Sequence, residues 1–89
     1  MSTELHLTDL HVGSIYRWVP TDNRSWVPWF DAPPAPNAAY RPAADTVVMY
    51  LGMEQFADNV IPAHIFLAGE KKYAVWNTDF IFGLRTITG

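Results

Sequence analysis

The sequence predicts an all-β fold: one small barrel of about five antiparallel strands over 1–89, with a long Pro/Trp-rich loop (about 20–45) after the first strand. Three observations predict it. Short runs rich in Val, Ile, Tyr, Trp and Phe are punctuated by Gly, Pro, Asn and Asp, the pattern of strands and turns. No heptad pattern and no internal repeat is present. Six of the seven prolines fall between Pro20 and Asp45, where neither a helix nor a central strand can run. Closing a sheet of such strands removes edges that would otherwise recruit other chains.

The elements follow in order. Leu5 to Val12 reads either as a short strand or as a lead-in loop, broken by Gly13. Ile15-Tyr16-Arg17-Trp18-Val19 is the first strand, with Ile15, Arg17 and Val19 on one face and Tyr16 and Trp18 on the other. Pro20 ends it. The excursion that follows carries Trp26, Trp29, Phe30 and Tyr40 among its prolines, so it reads as an ordered loop tied down by rings, with a short strand at Ser25-Trp26-Val27 and an extended Ala/Pro-rich tail over 32–44. Thr46 to Leu51 is the clearest strand: both of its faces are apolar, which requires partners on both sides. Met53 to Asn59 is a polar interruption with room for one helical turn around Glu54-Gln55-Phe56. Ile61 to Leu67 and Lys71 to Trp76 form a hairpin about a tight turn at Ala68-Gly69-Glu70, where Gly69 takes positive φ. Asn77 to Phe80 is a turn, and Leu84 to Ile87 a short closing strand.

Composition bounds the function. The chain has 89 residues, 49% hydrophobic and 17% charged, which suits a folded domain rather than a disordered tail. It contains no cysteine, so disulfides and thiolate metal sites are excluded. No apolar run long enough to span a membrane is present, and neither a secretory leader nor a setting outside the cytoplasm is expected. A net charge of −3, with Lys71-Lys72 the one adjacent basic pair, lacks the basic stripe that phosphate neutralisation demands, so nucleic acid is not an expected partner. Thirteen aromatic residues exceed what a core this small can bury completely, and the surplus points to a contact surface.

Chemistry-bearing patterns are sparse. His6, Asp9 and His11 do not share a face on either a strand or a helix, so they do not converge on a metal. Phosphate-cradling glycine loops and nucleophile elbows are absent. Ser14, Ser25, His64 and Asp79 make a triad only on paper, and His64 reads as a packing residue beside Phe66. No catalytic residue, metal or cofactor is therefore expected, and the residues assign no small-molecule ligand. The Pro33-Pro34-Ala35-Pro36 run reads as a stiff spacer before it reads as a polyproline ligand. Lys71 and Lys72 read as solvated lysines guarding a strand edge. The partner-binding candidates are Trp26, Trp29, Phe30 and Tyr40. Trp26 and Tyr40 read first as rings covering the open barrel end. Trp29 and Phe30, in Pro28-Trp29-Phe30-Asp31, read equally as core or as a solvent-facing loop tip.

The order of signals resembles the SH3-like small barrels of phage and bacterial accessory proteins. The residues that carry the likeness are Leu10 to Tyr16 with Gly13 as opener, Val47 to Gly52, the hairpin Ile65 to Trp76, and Asp79-Phe80 followed by Leu84 to Ile87. It covers about two-thirds of the chain in pattern, and the excursion at 20–45 is longer than such barrels carry between their first strands. The resemblance implies a fold and no activity, because SH3-like barrels host unrelated functions. With the ring surplus, it leads to the expectation of a non-enzymatic, phage-encoded protein-binding module using an aromatic loop surface. The alternative is a self-assembling structural or virion accessory protein.

Overall fold

Six strands form one antiparallel sheet in the computed structural model, which describes residues 5–20, 25, 27–32, 41–56 and 60–87. They are β1 (Ile15–Trp18), β2 (Phe30–Asp31), β3 (Thr46–Glu54), β4 (Ala63–Ala68), β5 (Lys71–Val75) and β6 (Leu84–Thr86). Their order is β2-β5-β4-β3-β1-β6. The sheet has β2 and β6 as its edges and is not closed into a barrel, so the expected five-strand closed sheet is corrected. The excursion after β1 supplies the extra strand: Phe30 pairs with Ala74 and Asp31 with Tyr73, which lays β2 along β5. Both edges are two or three residues long, and short edges offer little template for further pairing.

Each strand forms for a reason visible in its side chains. β1 alternates exposed Ile15 and Arg17 with buried Tyr16 and Trp18. β3 is longer than expected, running through Gly52 to Glu54, with a bulge between Tyr50 and Gly52. Glu54 therefore lies in a strand, and the helical turn expected around Glu54-Gln55-Phe56 does not form. β4 and β5 meet at a two-residue turn between the paired Ala68 and Lys71, with Gly69 at φ +63°. Leu5 to Val12 is not a strand. A short 3₁₀ turn, Leu7–Asp9, is closed by the His6 N–H donating to Asp9 Oδ2 at 2.9 Å. The Tyr16 hydroxyl accepts from the His11 N–H and donates to the Asp9 carbonyl, tying this lead-in to β1. The turn expected at 77–80 is a longer 3₁₀ segment, Thr78–Gly83, capped by Asn77 Oδ1 and carrying Phe80 and Ile81 inward.

One side of the sheet holds the main core. Trp18, Trp29, Phe66, Phe80, Leu84, Val48 and Val75 are completely buried there. Trp29 is a hub, with ring centroids 4.8 Å from Trp18, 5.2 Å from Phe66 and 5.5 Å from Tyr73. Trp29 thus packs against the core side of the sheet, and Val27, two residues before it, is buried too. The Val27 carbonyl accepts from Arg41 Nε at 3.0 Å, which joins the two ends of the excursion. Of the two readings open for Trp29, core or loop tip, this packing is the core one. A Trp ring buries about 150–250 Å², and in a domain this small that area outweighs a loop's preference for solvent.

Candidate binding surface

The other side of the sheet is the surface of interest. The period-two alternation that turns Tyr16, Trp18, Val48, Tyr50, Phe66 and Tyr73 into the core turns their neighbours outward. The registers align these outward residues in rows across the strands. Ile15 lies opposite Met49, Met49 opposite Leu67, and Leu67 opposite Lys72. A second row sets Arg85 opposite Arg17 and Arg17 opposite Val47. In the third, Ile65 lies opposite Ala74 and Ala74 opposite Phe30.

The third row is covered by its own small cluster. Ala63, Ile65 and Ala74 are buried, with Ala32, Leu51, Phe56 and Trp76 packed over them. Trp76 stacks between Phe30 at 5.5 Å and Phe56 at 5.9 Å, and its indole N–H donates to the Ile61 carbonyl at 2.9 Å. The first two rows are not covered in this way. Ile15 is 46% exposed and Val47 45%, and Met49 and Leu67 between them are half-buried. Antiparallel sheets that face water on one side carry polar residues there; this one carries an apolar band.

Cations border the band. Arg17, Lys72 and Arg85 are exposed on this face, half of the chain's six Lys and Arg residues, although the chain as a whole carries −3. Arg85 Nη1 donates to the carbonyls of Phe82 (2.8 Å) and Leu84 (2.9 Å), which holds its guanidinium over the end of β6. Beside it an open cleft of about 400 Å³ is lined by Arg17, Val19, Asp45, Arg85, Thr86 and Ile87.

The sequence-predicted site residues do not form one surface. Trp29 faces the core at 0% exposure, whereas Phe30, the next residue, faces the opposite side of the sheet and is half-buried against Trp76. Trp26 and Tyr40 lie outside the described residues, as does the Pro33-Pro34-Ala35-Pro36 run. Lys71 does not guard an edge: β2 lies beyond β5, and Lys71 Nζ pairs with Asp31 Oδ1 of β2 at 3.1 Å. Residue reasoning missed Met49, Leu67, Arg85 and Trp76 as surface components. The available signal was the two-faced apolar pattern of Thr46 to Leu51, which demands cover on both sides.

His64 is 8% exposed, and its ring meets Phe80 edge-on at 5.1 Å. Its Nδ1 lies 3.0 Å from the Tyr50 hydroxyl. Burial pushes the imidazole below the ordinary histidine value. Burial first, and the neighbouring Tyr16 second, raise the Tyr50 hydroxyl. Both groups are thus held neutral, and the imidazole tautomer sets which of them donates in the hydrogen bond between them. Among the described residues no serine or carboxylate bonds to His64, so the paper triad is not assembled. Nor do three His, Asp or Glu side chains cluster there as metal ligands. Stability should therefore depend on pH. Above about 6.5 the imidazole is neutral both folded and unfolded and contributes no pH dependence. As pH falls below that value the unfolded chain takes the proton first, so stability drops until the lowered folded value is passed. Urea midpoints measured between about pH 8 and about pH 5.5 should fall toward acid for the wild type and flatten in His64→Gln.

No protein-family model, curated protein or solved structure matches the chain. No helix among the described residues is long and apolar enough to cross a membrane.

Proposed function

We propose that this chain is a small non-enzymatic protein-binding module whose contact surface is the outward face of its sheet. The observation that carries the reading is the uncovered apolar band of Ile15, Val47, Met49 and Leu67 on a face that would otherwise be polar. The occupant is a segment of another protein with apolar side chains and a negative rim. The argument is charge complementarity: Arg17, Lys72 and Arg85 ring the band on a chain that is acidic overall. Phe30 keeps a part in it, as a ring bounding the band with Trp76. Trp29 does not, because its ring belongs to the core.

Several features support an SH3-like arrangement, in an open form. They are the Gly13 lead-in, β3 with its bulge at Gly52, the β4–β5 hairpin, the 3₁₀ segment, and the short β6 returning beside β1. That likeness adds no activity of its own.

Panning a peptide library on the immobilised chain tests the reading. Ile15→Ser with Val47→Ser makes the comparison, since both side chains are about half exposed and their loss leaves the core intact. The wild type should enrich apolar peptides bearing Asp or Glu, and the double variant should capture them at least about tenfold less well. Failure of the wild type to enrich any sequence, or equal capture by the variant, overturns the proposal. So does light scattering that shows an oligomer dissolved by the same two substitutions, which would hand the face to a second copy.

A further inference from the structure

Arg17 and Arg85 are directly opposite on neighbouring antiparallel strands, so their side chains leave the same face about 5 Å apart. Like charges in that position repel, and few local groups offset them. Arg85 is held through carbonyl oxygens, which carry no net charge. Arg17 makes no hydrogen bond or ion pair within 4 Å among the described residues. Asp45, across the cleft, is the one carboxylate lining it among the described residues, and it forms no ion pair with either arginine. The cleft beside the pair thus has two guanidinium groups, one pinned and one free. A guanidinium binds a carboxylate through two parallel N–H donors; Arg85 is already held beside the cleft, and Arg17 is free to close on a bound carboxylate from the neighbouring strand.

The cleft is continuous with the apolar band, because Arg17 lies between Val47 across the strand pair and Ile15 two residues along it. At the far end of the band, Lys72 stands opposite Leu67. From β1 to β5 is three strand spacings, about 14 Å, and Arg17 is offset from the row of Lys72 by two residues, about 7 Å, so the cationic ends lie about 16 Å apart, within reach of two long acidic side chains four residues apart in extended chain. We infer that the Arg17–Arg85 cleft is a carboxylate site for the docked segment. That segment bears two acidic side chains whose carboxylates reach points about 16 Å apart, one at the arginine pair and one at Lys72, with apolar side chains between them on Met49 and Leu67. The spacing of cations at both ends favours side-chain carboxylates over a single chain terminus. This inference rests on the proposed use of the outward face.

The test is an amide-shift titration of the isotope-labelled chain with the blocked peptide acetyl-Glu-Leu-Phe-Leu-Glu-amide. Two further probes are its Gln-for-Glu counterpart and that counterpart with a free terminal carboxylate. The acidic peptide should shift amides of β1 and β6 at the arginine end, of β3 and β4 along the band and of β5 at Lys72, and bind roughly tenfold or more tightly than the neutral one. Arg17→Gln with Arg85→Gln should remove most of that difference, leaving only the part that Lys72 contributes, while keeping the dispersed amide spectrum of a folded chain. Added salt should weaken the acidic peptide selectively. Equal affinity for acidic and neutral peptides would overturn the carboxylate site and leave the apolar docking face standing. Equal binding by the free-carboxylate peptide would overturn the two-ended assignment. If neither blocked peptide binds, the carboxylate site falls, and the library selection decides the docking face separately.

Discussion

Replacing Trp29 with alanine is expected to lower the unfolding free energy by about 3–5 kcal/mol, because it empties a ring-sized volume at the centre of the core. Trp29 is completely buried and lies within 4.8–5.5 Å, centroid to centroid, of Trp18, Phe66 and Tyr73. Those rings come from β1, β4 and β5, so no single element can relax into the space. Domains are stable by only about 5–15 kcal/mol, and the variant should sit near the limit of folding. The conservative change separates packing from polarity. The Trp29 indole N–H is buried and has no acceptor among the described residues, so Trp29→Phe removes a donor unsatisfied among them along with part of the ring. It should cost clearly less than Trp29→Ala. Urea unfolding followed by far-ultraviolet circular dichroism reads both variants. A Trp29→Ala midpoint equal to the wild type would show that the excursion does not contribute to the core. The experiment also separates core from surface, since Phe30→Ser, on the other face, should leave stability far closer to wild type.

Gly83→Ala is the second large expected effect, about 1–3 kcal/mol of destabilisation from a single added methyl group. A Cβ at position 83 would stand 2.6 Å from Cζ3 and 3.0 Å from Cη2 of Trp18, and 3.1 Å from the Ser25 Cβ. The Trp18 ring is fully buried and packed against Trp29, so it cannot swing aside as a flexible surface chain would. The Gly83 carbonyl also accepts from the Val19 N–H, which anchors the end of the 3₁₀ segment beside β1. Moving the backbone to relieve the contact would strain that bond and displace Leu84, which begins β6. Thermal and urea unfolding of the variant read the loss directly. A midpoint unchanged from wild type would mean that the 3₁₀ segment shifts freely and that the close approach to Trp18 is not required.

Much of the strand framework is legible in the residues. Ile15 to Trp18 shows its two faces in plain alternation, and the structure buries Tyr16 and Trp18 while exposing Ile15 and Arg17. The hairpin turn at Gly69 is also local, since a two-residue connection there calls for positive φ. Strand β2 was not legible. Phe30-Asp31 is two residues long and lies among prolines, and it becomes a strand only because β5 presents unpaired backbone beside it. The extension of β3 to Glu54 has the same origin. Met53 and Glu54 carry no strand signal of their own, but His64 and Ala63 of β4 lie across from them.

The candidate surface shows the same division. Thr46 to Leu51 announced two apolar faces, so some second contact was foreseeable. Which residues would remain uncovered was not, because Phe56, Trp76 and Phe30 come from three separate segments to cover one end of that face. Which ring of Pro28-Trp29-Phe30-Asp31 would face the core was not legible for the same reason: adjacent Trp29 and Phe30 are separated by the sheet itself.

By itself the sequence determined an all-β chain without cysteine, acidic overall, with strands whose inward and outward positions alternate and a turn at Gly69. These are local properties, set by side-chain period and backbone freedom. The tertiary structure alone decided that Trp29 completes the core, that β2 joins the sheet, and that Arg17 and Arg85 stand side by side at the end of an uncovered apolar band. Each of those depends on residues distant in sequence meeting across a shared volume or strand pair, and no local pattern encodes which partners will meet.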